Sequence, residues 1–219
     1  MKGKQQMEIV VLGYAGESGS RRIFADMLLR ERLLQRYPER FFRCFTELAE
    51  TEQSETETAE AEAAKAGIAK VEIAKAGTAE ENMRAAKFLR QCCVPEEDFC
   101  EAADGGVFAA LWRLLKEKRH TGAVFSQRAV PLRQQTVELC EYFDIDPFRL
   151  QAEGCFVCLL EDGARFCRRA EAAGFAASVI GYTEAGCAVK RIDGEETAYL
   201  RRPEEDALLK LLREKGRRI

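Results

Sequence analysis

Two glycine-rich stretches carry the residues best suited to chemistry. The first is Gly13-Tyr14-Ala15-Gly16-Glu17-Ser18-Gly19-Ser20, where three glycines and two serines stand between a strand-like run and a helix-like run. The second is Glu101-Ala-Ala-Asp104-Gly105-Gly106-Val107, a diglycine turn that opens an amphipathic run. Such stretches can recognise anions. Consecutive backbone N–H groups form a concave donor surface, and a helix N-terminus adds positive potential. Gly105 and Gly106 would leave N–H groups open at that end, with Asp104 placed to cap the helix. The plainer reading of the diglycine is a tight turn before a core helix. No Gly-Lys-Ser/Thr follows the first stretch, so it is not a Walker loop.

The remaining chemistry-bearing residues give weaker signals. The chain has nine cysteines and one histidine. An odd number of cysteines scattered through apolar segments points to reduced, mostly buried thiols. Cys155-Phe-Val-Cys158 has the spacing of a redox pair but lies in a strand-like run, where positions three apart face opposite ways. Cys92, Cys93 and Cys100 have no second pair at zinc-site spacing to support them. His120 follows Lys118-Arg119 at a helix end, where a favourable dipole contact accounts for it. Asp144 and Asp146 fit a local turn better than a catalytic pair. No catalytic residue and no metal ligand is assigned.

The elements that must position these stretches follow from pattern. Glu8 to Gly13 reads as a buried strand, and a helix is expected from about Ser20 to Gln35. Pro38 breaks it, and a short helix from Glu39 to Leu48 follows. Residues 50–79 are rich in Glu, Thr, Ala and Lys, with Ala-Lys-Ala-Gly at 64–67 and again at 74–77, and read as a low-complexity inserted linker. A helix over 79–92 leads to a short strand and the diglycine. Val107, Leu111, Leu114 and Leu115 then form one apolar stripe. Beyond it come a strand at 122–126 and a helix after Pro131. A strand at 155–160, a helix at 162–173 and a strand at 175–181 follow. A hairpin turns at Asp193-Gly194, and a last helix opens at Pro203 to Asp206. Imperfect alternation ending in a hairpin predicts an α/β (α+β) fold, one mixed β-sheet covered by helices.

Composition excludes several classes. Of 219 residues, 47% are hydrophobic and 32% charged, with a net charge of −3. That supports a real core and gives no nucleic-acid footprint. No apolar run reaches the roughly 18 residues of a membrane helix, and no signal-peptide apolar region precedes the first strand. The expectation is a cytoplasmic protein with neither nucleic acid nor membrane as partner.

From Ile9 to about Pro203 the chain resembles the C-terminal domain of the aminoimidazole ribonucleotide (AIR) synthetase superfamily, the PurM-like proteins. It is most similar to the AIR synthase-related, hydrogenase-maturation-factor-like members. The segments that carry this are Ile9 to Gly19, Glu101 to Leu111, Val130 to Pro147, Gln151 to Cys155 and Gly174 to Gly181. The resemblance implies a mixed sheet with helices, partly ferredoxin-like in topology, across residues 1–219 as one domain. It also implies that Gly13, Gly16, Gly19, Glu101, Asp104, Gly105, Gly106 and Gly154 lie near a phosphate. In that family ATP sits between two domains, and the N-terminal one holds the magnesium.

The chain departs from the family pattern at three places. Ala103 stands for the motif's threonine, Asp104 for its glutamate and Glu153 for the serine before the later glycine. The chain also begins directly at the first family segment, so the expectation is that the ATP-binding half is absent. The resemblance therefore implies a stand-alone domain, non-catalytic alone, that binds a phosphate-bearing ligand or a partner protein. The alternative is the C-terminal half of a split ATP-dependent enzyme. ATP and magnesium would enter only with a separate N-terminal domain. The expected partners are that domain or a second copy of the chain.

Overall fold

The computed structural model describes residues 6–45, 82–118 and 120–216. The predicted linker at 50–79 lies outside them. Its centre is β1 (Glu8–Leu12), whose Ile9, Val10, Val11 and Leu12 have no exposed surface. A short run that is apolar on both faces must be covered on both. Ile9 and Val11 pack with α4 (Gly106–Glu117). Val10 and Leu12 pack on the other face with the helix α3 at 82–91 and α6 (Gly163–Ala172).

β1 lies between β4 (Ala152–Leu160) and β5 (Ala177–Ala185), antiparallel to both. β2 (Phe99–Ala102) adds to β4 at one edge. On the other side come β3 (Thr121–Phe125), β6 (Val189–Asp193) and β7 (Glu196–Tyr199). The seven-stranded order is β2-β4-β1-β5-β3-β6-β7. All pairs are antiparallel except β3 with β6, so the sheet is mixed, as expected. β5 lies between β1 and β3, and β1 lies between β4 and β5. β4 and β5, joined through α6, flank β1, and this split β-α-β unit is the ferredoxin-like part of the topology.

A second cluster sits beside the sheet. α1 (Glu17–Ala25), α2 (Met27–Leu34), the 3-10 turns of Glu39–Phe45, α5 (Gln134–Phe143) and α7 (Ala207–Gly216) supply it. Its centre is aromatic, with Phe24 and Phe42 ring centroids 5.1 Å apart and Phe42 stacked on Phe45 at 5.9 Å.

The structure changes three local expectations. The helix expected over 20–35 begins earlier, at Glu17, and breaks at Asp26. There an extended backbone (ψ 116°) lets the Asp26 carboxylate accept from the N–H groups of Leu28 and Leu29, starting a new helix. Asp104 does not cap α4. The capping position is Gly105, in the left-handed region with φ 70° and without a side-chain cap bond. The last helix starts at Ala207, and Asp206 accepts from the N–H of Leu208 at 2.8 Å. The Asp146 turn is as expected, accepting from the N–H of Phe148 at 2.9 Å.

Gly106 is the tightest of the diglycine pair. It has φ 67°, and a Cβ there would lie 2.4 Å from the carbonyl oxygen of Phe148. Backbone cannot yield as a side chain can, so Gly106→Ala should lower unfolding free energy by about 3 kcal/mol or more. Gly174→Ala, at φ 80° but with nothing within 4 Å, should cost only about 1 kcal/mol. Urea denaturation of the two variants side by side measures the difference.

Candidate functional site

The two glycine stretches meet at one segment, Pro147 to Cys155, which enters β4. A Cβ on Gly16 would lie 2.9 Å from the Pro147 oxygen, and one on Gly19 would lie 2.5 Å from Leu150 Cγ. A Cβ on Gly13 would lie 3.1 Å from the Gly154 oxygen. Gly106 meets Phe148 and Leu150 in the same way. The sequence-predicted glycines are thus brought together, Gly13, Gly16 and Gly106 against passing backbone and Gly19 against the buried Leu150 side chain.

Their exposure is uneven. Gly16, Glu17, Ser18, Gly19, Gly105 and Gly106 are buried, whereas Gly13, Glu101 and Gly154 are half-buried and Asp104 is exposed. The Gly19 N–H donates to the Gln151 oxygen at 3.0 Å, and the Gly13 N–H donates to the Ala176 oxygen at 2.8 Å. The Ser18 hydroxyl accepts from the Glu153 N–H at 2.8 Å and donates to the Gln151 oxygen at 3.2 Å.

Carboxylates of the chain itself occupy the donors. The Glu101 Oε1 accepts from Asn82 Nδ2 at 2.6 Å and from the Gly154 N–H at 3.1 Å. In the first turn of α1, where a helix favours negative charge, Glu17 Oε1 lies 2.9 Å from both Arg21 Nη2 and Arg133 Nε. The Arg133 guanidinium also stands over the Tyr14 ring, 4.2 Å from its centroid. Glu153, one of the departures from the family pattern, pairs with Arg22 at 2.6 Å, which offsets its charge beside the loop.

The residue that sequence reasoning missed is Asp206. Its Oδ2 accepts from the Gly105 N–H at 2.8 Å, across 101 positions. It is 3% exposed. Burial pushes its carboxyl above the usual 3.8, against the lowering effect of the Leu208 and Gly105 N–H bonds. Its only local signal was a position just before a helix, which marks a cap and says nothing of Gly105.

The thiols behave as expected of a strand pair. Cys155 packs against α4 and Cys158 on the opposite face, both buried and free. Burial pushes both thiols well up, which disfavours the reactive thiolate. Among the described residues no group of three or more His, Cys, Asp or Glu could hold a metal ion, and no helix there is long and apolar enough to cross a membrane.

With this geometry in place, the fold can be compared with known ones. No family model matches the chain, and no curated protein matches it. Solved structures do, and they show the fold: a mixed sheet covered by helices, shared with part of the hydrogenase maturation protein HypE. The chain is similar to HypE from E. coli, with 16% identity and a TM-score of 0.56, over 94% of this chain and 52% of that one. HypE in complex with ATP aligns at 15% identity with a TM-score of 0.53, over 94% and 52%. A HypE–HypF complex aligns at 14% identity with a TM-score of 0.52, over 91% and 53%. The chain spans about half the length of each of these.

The raised Asp206 carboxyl fixes the sign of a pH effect. A group whose folded pKa lies above its unfolded one favours the folded state most below the unfolded value, and that contribution is lost as pH rises through the folded value. Replacing Asp206 with Asn removes a titrating group. In urea titrations from pH 3.5 to 7, stability of the Asp206→Asn variant relative to the parent should therefore rise with pH. A flat difference would show that burial does not penalise this carboxylate.

Proposed function

We propose that this chain is a stand-alone domain, non-catalytic alone, that binds a phosphate-bearing ligand or a partner protein. The observation that carries this reading is internal pairing. Glu17, Glu101, Glu153 and Asp206 each bond to donors of the chain itself. A general acid or base needs an oxygen aimed at the substrate. Asp206 has both of its oxygens engaged, by the Gly105 and Leu208 N–H groups, and the other three are each held in place by an internal bond through one oxygen. In this reading Gly13, Gly16, Gly19, Glu101, Asp104, Gly105, Gly106 and Gly154 shape the wall of the site. Arg133, with its side chain 36% exposed, and Arg22 supply cations at its rim.

A second reading is favoured by the length relation. The chain covers 52% of E. coli HypE, so a separate ATP-binding half could complete a split ATP-dependent enzyme. Magnesium and most of the nucleotide contacts would then come from that half, and Arg133 and Arg22 would face the phosphates. The cytoplasm is the compartment proposed in either reading.

The purified chain is expected to hydrolyse no ATP above the buffer rate. Steady turnover that disappears in Glu101→Ala would sink the first reading. Calorimetric titration with the separately produced ATP-binding half of HypE separates the two. Under the second reading it shows magnesium- and ATP-dependent binding that falls about tenfold in Arg133→Gln, the loss expected for one charge-assisted hydrogen bond. Absence of heat with that half leaves the first reading standing.

A further inference from the structure

The sheet ends at β7, whose outer edge meets no other strand among the described residues. An open edge is a template for pairing, and natural edges are blunted by bulges, prolines or charges. β7 contains neither bulge nor proline. Its register to β6 runs without a shift from the Lys190–Tyr199 pair to the Asp193–Glu196 pair. Its one charged residue, Glu196, sits at the turn end.

The direction of each backbone group follows from one bond. The Leu200 N–H donates to the Val189 oxygen at 2.8 Å. Along an antiparallel ladder, residues that bond inward alternate with residues that do not. Ala198 and Glu196 therefore also turn their backbone toward β6, and Thr197 and Tyr199 turn theirs outward. Neither outward N–H has a partner among the described residues.

A second copy of the chain fits this edge. With a two-fold axis at Ala198, Thr197 of one copy lies opposite Tyr199 of the other. These are the two outward residues, so each such pair exchanges both of its N–H···O bonds. Their side chains share one face and form aromatic to β-branched cross-strand pairs. The small Ala198 meets its own counterpart on the axis. The same register sets Glu195 opposite Arg201 of the second copy, and the axis repeats that pair. Opposite charges directly across a ladder stabilise it, and like charges destabilise it. An axis moved one residue either way loses the match, because Glu195 would face Tyr199 or Pro203. The segment is complementary to itself, as a two-fold interface requires.

The surface beside the edge also favours continuation. Register places Tyr182, Val124, Lys190 and Tyr199 in one row across β5, β3, β6 and β7. Tyr182 is 44% exposed and Tyr199 64%, and no residue of the row belongs to a buried cluster. Lys190 is paired with Glu184 at 2.8 Å, so the row brings no uncompensated charge toward the axis.

We propose that the chain forms a two-fold dimer by antiparallel pairing of β7 with β7 of a second copy, centred on Ala198. The sheet then runs on through both copies. So short a strand buries little surface, and the dimer is accordingly weak. The inference rests on the sheet edge and not on the reading of the glycine stretches.

Sedimentation velocity of the full-length chain, from about 5 μM to about 300 μM, follows the monomer–dimer equilibrium. Dimer should accumulate with concentration. Glu195→Arg and Arg201→Glu each set like charges opposite one another and should weaken association about tenfold. The double variant restores opposite charges and should recover the parent affinity. Both positions are exposed, so neither change disturbs the core. Thr197→Pro removes an N–H that β6 does not use and should also weaken the dimer about tenfold. A chain that stays monomeric throughout, single variants that associate like the parent, a double variant that does not recover, or growth beyond the dimer would each overturn the proposal.

Discussion

The segment from Pro147 to Cys155 is the surface against which the rest of this molecule is fitted. Four glycines from two distant stretches press on it so closely that a single Cβ would meet backbone or a buried leucine at 3.1 Å or less. Close-packed interiors relax little around such a contact. The entry to β4, the start of α1 and the start of α4 therefore have one mutual arrangement. The α4 stripe then seats on one sheet face, and α1 leads into the aromatic cluster around Phe42.

This constraint also reframes the glycine stretches. Glycine in a loop before a helix admits two explanations, close approach of a ligand and close approach of the chain itself. Here the chain approaches. At the start of α4 the Gly105 N–H is met by the chain's own Asp206, whereas Glu17, in the first turn of α1, pairs with Arg21 and Arg133. Electrostatically a carboxylate serves a helix N-terminus much as a phosphate would. At Gly105 the chain thus supplies the anion itself. What remains accessible is the rim of Tyr14, Arg133, Arg22 and Glu101.

Much of the fold was legible from pattern. The all-apolar run Ile9 to Leu12 could only be a central strand. Val107, Leu111, Leu114 and Leu115 share one helical face, and all are buried. Asp193-Gly194 marked the β6–β7 hairpin. The break at Asp26 was not legible, because Phe24, Leu28, Leu29 and Leu33 keep helical spacing across it. Only the Asp26 side chain, bonding to Leu28 and Leu29, shows where one helix stops. Within the site, the eight candidate residues were legible as a group. Their partners were not, since Asn82, Arg22, Arg133 and Asp206 carry no motif.

The sequence by itself determined the class of fold, the core strands and helices, and the two glycine stretches that converge. Periodicity and backbone freedom are local properties, written in neighbouring residues. Only the tertiary structure decided what those stretches face. Asp206 reaches Gly105 across 101 positions and Ser18 meets Glu153 across 135. Contacts at such separation depend on how the sheet orders its strands, and no local pattern encodes that order. The same ordering places β6 beside β3 as the one parallel pair.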